Sequence, residues 1–379
     1  MAGTITQLLS DLVSIRSVNP QLTGASATDG EQAVAHYVAD FLAQRGVSVE
    51  LQQVAPGRHN VIGHVERGAK SDEKIILLSA HMDTYPASDE EALEFSPRLE
   101  GGYLIGRGSA DAKGSLAAML TAFVSTLKSP SRRESYVVAS IDEEYGLCGC
   151  RTLCTHGMRP HLAITGEPTS LVPIYAQKGI VRASVYISGQ VDHAAYPGPE
   201  NAVFNVGRVL SAMEDWNRAL RETRSDHDLG STTVTPTKVE SGGDMNKTPE
   251  GVRVWFDARL VPGTTTASFL SEMTTYLEGR VGDIFRLEEP YFSSPSNQCS
   301  IIDPLVQELF SKVASAVGKC EPDVFSYGSE AGFLAEMAGS SLVLGPGDAK
   351  YSHGPGERVL VDEVVTAADV YSRILVSSE

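Results

Sequence analysis

Two histidines and a scatter of carboxylates occupy positions in this 379-residue chain where hydrolytic metal chemistry is easily built. His81 and Asp83 follow the apolar run Ile75-Ile76-Leu77-Leu78, and their i, i+2 spacing points both side chains the same way. Asp111 lies in a glycine-rich segment, Gly106-Arg-Gly-Ser-Ala-Asp-Ala-Lys-Gly114. Asp142, Glu143 and Glu144 follow a strand-like stretch ending at Ile141, and Glu167 follows another ending at Thr165. His353 lies beyond Gly345-Pro-Gly347. Acidic groups that converge on one crevice repel and lose solvation unless a cation neutralises them. Imidazole and carboxylate without thiolate suit Zn²⁺, Mn²⁺ or Co²⁺. The groups outnumber what one catalytic zinc uses, so two ions sharing a carboxylate is the simplest solution.

Other chemistries fit less well. Gly106–Gly114 is neither Gly-x-Gly-x-x-Gly, because its sixth position is Asp111, nor a phosphate loop, because Lys113 precedes Gly114 rather than following it. The chain has no His-Glu-x-x-His pattern and no Gly-x-Ser-x-Gly elbow. Cys148, Cys150 and Cys154 match no standard zinc or iron–sulfur spacing, and the five cysteines read as reduced thiols.

The elements around these residues alternate. Leu8, Leu9, Leu12 and Val13 recur at helical spacing, and Thr28 with Glu31 forms a capping box before a helix carrying Val34, Tyr37, Val38, Phe41 and Leu42. Strands are expected at 47–54, 74–79, 135–141 and 161–165, with a helix after Gly114. That alternation implies an α/β domain with a mostly parallel sheet, whose sites lie past the carboxyl ends of its strands. From about Gly179 the order becomes strand 181–188, helix 201–221, strand 251–260, helix 266–278, an α+β unit. After Pro290 the α/β texture returns, with a helix at 305–317 and a strand at 341–344. The expected organisation is a discontinuous catalytic domain, 1–178 with 292–379, interrupted by an inserted domain at 179–291.

The length suits two domains. Charged residues at 21% and apolar residues at 42% are ordinary for a globular protein. The formal charge of −17 argues against a nucleic-acid partner. No apolar run reaches membrane-spanning length, and the first residues lack a secretory pattern, so a cytoplasmic protein without membrane contact is expected.

Taken in order, Ser79-Ala-His-Met-Asp83, Gly106–Gly114, Asp142-Glu-Glu144, Gly166-Glu-Pro168 and Gly345-Pro-Gly347 up to His353 resemble the M20 metallopeptidases. The resemblance runs nearly the whole chain. It implies a zinc-peptidase-like catalytic domain and an inserted lid domain that forms a homodimer. It implies His81 and Glu167 on one ion, Glu144 and His353 on the other, and Asp111 bridging. Zn²⁺ is the expected ion, with Co²⁺ or Mn²⁺ as alternatives. Glu143 becomes the general base and Asp83 the group that orients His81.

In Gly189-Gln-Val-Asp-His193, the resemblance makes His193 a donor to the oxyanion across the dimer, although a lone histidine in such a unit is ordinarily a surface residue. Asn246 and Arg259 become ligands of the substrate carboxylate. Ser326-Tyr-Gly-Ser-Glu-Ala-Gly332 is similar to the acetylornithine deacetylase branch, which makes Glu330 a substrate contact; a carboxylate at a helix N-terminus is the plainer reading. Gly-Pro-Gly-Glu357 after His353 departs from the acidic pair expected there. The activity implied is hydrolysis of an N-acyl amino acid. The alternatives are a carboxypeptidase or dipeptidase acting on short peptides, and a non-catalytic binding protein of the same fold.

Overall fold

Three short runs lie in strands without one exposed residue, Ile76–His81, Leu162–Thr165 and Ser340–Val343. Their positions are set by mutual burial on both faces, as parallel sheets require. In the computed structural model, which describes residues 2–23, 30–66, 74–87 and 94–377, they form the centre of a nine-stranded sheet. From its edge the order is Ser48–Ala55, Arg58–Val65, Ser135–Ser140, Ile76–His81, Leu162–Thr165, Ser340–Val343. The first two strands form an antiparallel hairpin. From Ser135–Ser140 to Ser340–Val343 all neighbours run parallel.

The chain divides into two units, Met1–Tyr175 with Gln298–Asp323 and Ser329–Glu379, and Ala176–Asn297 with Val324–Gly328. In the first, the helix Lys113–Ser125 is buried nearly all round. It is packed by the strand Ile76–His81 and by the helices Ala2–Ser14 and Val361–Ile374. Leu12, Leu116, Leu120, Phe123 and Tyr371 belong to the single apolar cluster that results.

The helix Glu31–Ala43 starts from Gly30, which makes no side-chain cap. Thr28, expected to cap it, lies outside the described residues. Glu31 does not close a box there: its carboxylate is taken by Arg58 and by the N–H of Asp142.

The second unit is built on an antiparallel sheet, ordered Thr233–Ser241, Gly251–Leu260, Gly179–Ser188, with Phe285–Leu287 and Phe292–Ser294 sharing the far edge. The strand–helix–strand–helix expectation therefore missed three strands of this sheet, and also the short paired strands Ser225–Asp226 and Gly230–Ser231. Thr233–Ser241 is an edge strand that contains Pro236 and exposes most of its side chains, so it lacks the alternation of a half-buried strand. Gly251–Leu260 buries every second residue. Val252, Val254 and Phe256 there join one cluster with Trp216 of the helix Ala202–Thr223 and Phe269 of the helix Thr266–Val281. Asn201 caps the first of these helices and Thr265 the second. Among the described residues no helix is long and apolar enough to cross a membrane.

Candidate metal centre

Three adjacent parallel strands end side by side, and each delivers acidic or imidazole groups at its carboxyl end. His81 closes Ile76–His81, Glu143 and Glu144 follow Ser135–Ser140, and Glu167 follows Leu162–Thr165. Where Ser340–Val343 runs out, Gly345 passes so close to the Glu167 carbonyl that a Cβ would fall 2.4 Å from it, so only glycine fits. Asp111 comes from the Gly106–Gly114 segment, and the Asp111–Ala112 peptide is cis.

The His81 ring is oriented from behind. Its Nδ1 lies 2.9 Å from the Asp83 carbonyl oxygen and 3.5 Å from Asp83 Oδ1. A carbonyl can only accept, so Nδ1 carries the proton and donates, which presents Nε2 to the carboxylates. That Nε2 lies 3.1 Å from Asp111 Oδ1 and 3.8 Å from Glu167 Oε2. On the other side, His353 Nε2 lies 3.4 Å from Asp111 Oδ2 and 3.0 Å from Glu144 Oε2. Asp111 thus offers one oxygen to each histidine, and each histidine has a glutamate of its own. Ligand atoms of His81, Asp111 and Glu144, and likewise of His81, Glu143 and Glu167, fall within 4.8 Å of one another. Glu144 Oε1 and Glu167 Oε1 are buried and accept no hydrogen bond.

Burial, and then the neighbouring carboxylates, push the carboxyls of Glu143, Glu144 and Glu167 above their ordinary range. Burial opposes ionisation of Asp111 too, but the two histidines outweigh it and hold that carboxyl low. His353 is pushed up to about 10 by Asp111 and Glu144. Such a cluster demands positive charge at its centre, supplied by protons or by a cation.

Several contributors were not legible in the sequence. Asp83 does more than face His81: its two oxygens accept the N–H groups of Glu143 and Glu144, each at 3.1 Å. Asn19 Nδ2 bridges Asp83 and Asp142 at 2.8 and 3.0 Å. Arg58, 4% exposed, pairs with Glu31 and with Asp142, placing one cation behind this acidic turn. Glu330 is fully buried, 3.1 Å from Ser79 Oγ, and makes no capping bond to the helix Ala331–Met337. All five cysteines are free, and none enters either ligand group. The thiols of Cys150 and Cys154 donate to the carbonyls of Glu330 and Phe333.

The remaining candidates lie in the second unit. His193 is exposed, and its Nδ1 accepts the Ala195 N–H at 3.1 Å. Ala194 N donates to the Asn246 carbonyl at 2.8 Å, so His193 and Asn246 share one corner. Arg259 lies elsewhere. Gly251 pairs with Ser188 and Arg259 with Ile180, which puts Arg259 at the opposite end of the strand from the His193 segment. Its Nε and Nη2 both go to Asp257, at 2.7 and 3.3 Å.

A mostly parallel α/β sheet with paired histidines and carboxylates past its carboxyl edge defines a class, the hydrolases that act on amides. The chain belongs to peptidase family M20/M25/M40, whose pattern matches residues 77–377. It is 30% identical to an acetylornithine deacetylase of Vibrio parahaemolyticus, over 98% of each chain. It resembles the aminopeptidase PepT of Bacillus cereus at a TM-score of 0.79 and 18% identity, covering 99% of this chain and 98% of that one. A dinuclear metal-binding M20 peptidase of Bacillus subtilis aligns at 0.71 and 13%, over 99% and 97%. These two structures share the fold.

Proposed function

We propose that the protein hydrolyses N-acyl amino acids at a site built for two divalent ions. The observation that carries this is Asp111, whose two oxygens face two different histidines, each already accompanied by a glutamate. His81 with Glu167 would hold one ion, His353 with Glu144 the other, and Asp111 would be shared. The residues fit such ions: two buried carboxylate oxygens accept nothing else, and four clustered carboxylates match the charge of two divalent cations. Imidazole and carboxylate donors favour Zn²⁺, with Co²⁺ or Mn²⁺ able to replace it. When bound, such ions polarise the scissile carbonyl and make water acidic enough to attack near neutral pH.

The chain's own groups supply the proton transfers. Glu143, whose N–H is held by Asp83, would take the proton of the attacking water on its carboxylate and return it to the leaving nitrogen. His193 accepts a backbone N–H on Nδ1, which leaves Nε2–H as the donor for an oxyanion. Asn246 and Arg259 would bind the substrate carboxylate. Glu330 and its partner Ser79 are both fully buried, so Glu330 would support the strand that ends in His81 rather than touch the substrate.

The sheet of the second unit supports a homodimer. Eight residues at about 3.3 Å each separate Gly251 from Arg259, roughly 26 Å, far beyond one amino-acid substrate. A site that uses both His193 and Arg259 therefore draws them from two copies. The unpaired edge of Thr233–Ser241 and the exposed Val239 and Phe204 offer a surface for the second copy. Five free cysteines suit a reducing cytoplasm.

The test is a comparison of kcat/KM for N-acetylated amino acids, N-acetylornithine among them, with matched dipeptides, using protein loaded with Zn²⁺ or Co²⁺. Faster turnover of the N-acyl substrates is expected. Faster dipeptide cleavage would make the protein an exopeptidase. Ion binding without any turnover would make it a binding protein.

A further inference from the structure

The Gly106–Gly114 segment has the glycine content of an anion cradle without either phosphate motif, and the structure shows an anion in its grasp. That anion belongs to the chain itself: Glu357. Ala110 N and Asp111 N both donate to Glu357 Oε1, each at 3.0 Å. Arg107 Nη1 donates to Oε2 at 3.0 Å, and Gly106 N donates to the Glu357 carbonyl at 2.9 Å. Arg107 also meets Glu94 at 2.7 Å. Glu357 is 2% exposed and Arg107 1%, so this is a buried charge cluster whose hydrogen bonds water does not weaken. The turn depends on Gly108, at φ +80, where a Cβ would fall 2.6 Å from Thr84 Cγ2.

One carboxylate thereby joins two segments about 250 residues apart. On one side it grips the main chain of Asp111. On the other it ends the segment that carries His353, four residues earlier, with Gly354, Pro355 and Gly356 between them. His353 itself is at φ 63 with its side chain 46% exposed, and Tyr85 stacks on its ring while nothing in that stack fixes the main chain that carries it.

We propose that Glu357 is a positioning residue for the two-ion site. It fixes the Asp111 main chain and the His353 segment relative to each other, so that both Asp111 oxygens and the His353 ring are presented together. The inference rests on the two-ion reading above. It also gives a role to the residue that departs from the acidic pair expected after His353.

The experiment uses Glu357→Gln, with Glu357→Asp as the charge-keeping variant in case the neutral one does not fold. Glu94→Gln is the control, since it also loses a carboxylate from Arg107 but touches neither Asp111 nor the His353 segment. Zn²⁺ and Co²⁺ dissociation constants are measured by chelator competition, and the visible spectrum of the Co²⁺ protein is recorded. Amide hydrogen exchange is followed at Ala110 and Asp111 in metal-free protein. For Glu357→Gln we expect ion binding weakened by about 10- to 100-fold, the usual effect of removing a group that orients a ligand, with an altered Co²⁺ spectrum and faster exchange at both amides. Glu357→Asp should fall between that variant and wild type, and Glu94→Gln should stay near wild type in all three readouts. Wild-type ion binding and exchange in Glu357→Gln overturn the inference, as does an equal loss in Glu94→Gln. A wild-type protein that binds neither ion overturns the two-ion reading instead, and unchanged exchange would then overturn the link between the segments as well.

Discussion

The Tyr85 ring lies against the imidazole of His353, with centroids 4.4 Å apart and planes inclined by 14°. Both residues leave part of their surface to solvent, and the stack packs against a ring whose Nε2 lies near both Asp111 and Glu144. An aromatic contact of this kind contributes about 0.5–1.5 kcal/mol. Tyr85→Ala should therefore weaken binding of the ion at His353 by about 2- to 12-fold, and Tyr85→Phe should not, because it keeps the ring. Chelator competition on the three proteins checks this; equal weakening in both variants would assign the effect to the hydroxyl.

Asp111 faces both histidines, and Glu144 pairs with His353 at 3.0 Å, a pairing that Glu143 does not make among the described residues. Metal analysis of Asp111→Ala is expected to find both ions lost. Glu143→Gln should keep its ions and fold while turnover falls by about 10²–10⁴-fold, as removal of a general base does. Glu144→Gln should lose an ion instead. If Glu144→Gln stays active and Glu143→Gln binds less metal, the two roles are exchanged.

His193 and Arg259 stand at opposite ends of one sheet, so complementation between chains is expected. His193→Ala and Glu143→Gln should each be nearly inactive, the first by about 10²–10³-fold as for a lone oxyanion donor. Mixed under conditions of subunit exchange, they would form a heterodimer with one complete site. Activity should return towards half of wild type per heterodimer. Demonstrated exchange with no recovery would confine His193 to its own chain.

Glu308 gives a pH dependence remote from the metal centre. Burial raises its carboxyl, but Arg133 at 2.8 Å and Lys312 at 2.9 Å outweigh this, and the net shift is below the ordinary 4.5. A carboxyl lowered on folding stabilises the protein above its unfolded pKa, and that contribution is lost as pH falls through the folded value. Urea midpoints of wild type and Glu308→Gln should thus differ most near about pH 6 and converge as pH falls below about 4.5. A gap that widens on acidification would reverse the sign of the shift.

The legible part of the fold is the part built from local pattern. Gly251–Leu260 was expected with the bounds it has, because strict alternation marks a strand with one buried face. Ile76–His81 was placed within two residues by its apolar run. Arg58–Val65 went unread although it joins the edge strand to the parallel core of the sheet, since Arg58 and Asn60 break any apolar pattern. Both are buried because their partners come from elsewhere: Glu31 and Asp142 for Arg58, Ile141 N and the Gly149 carbonyl for Asn60. Thr233–Ser241 was missed for the opposite reason, being an edge strand that buries almost nothing.

By itself the sequence determined which groups stand at the ends of strands, because the period of two and the length of an apolar run are written over a few consecutive residues. It thereby determined the kind of chemistry, imidazole and carboxylate without thiolate. Only the tertiary structure decided which oxygen meets which histidine, that Asp83 holds Glu143 and Glu144 as well as His81, and that Glu357 lies under Asp111. Apart from Asp83 with His81, those contacts join residues from 30 to 246 positions apart. Such a contact depends on where separate strands and loops stop against one another, and packing sets that, not any period along the chain.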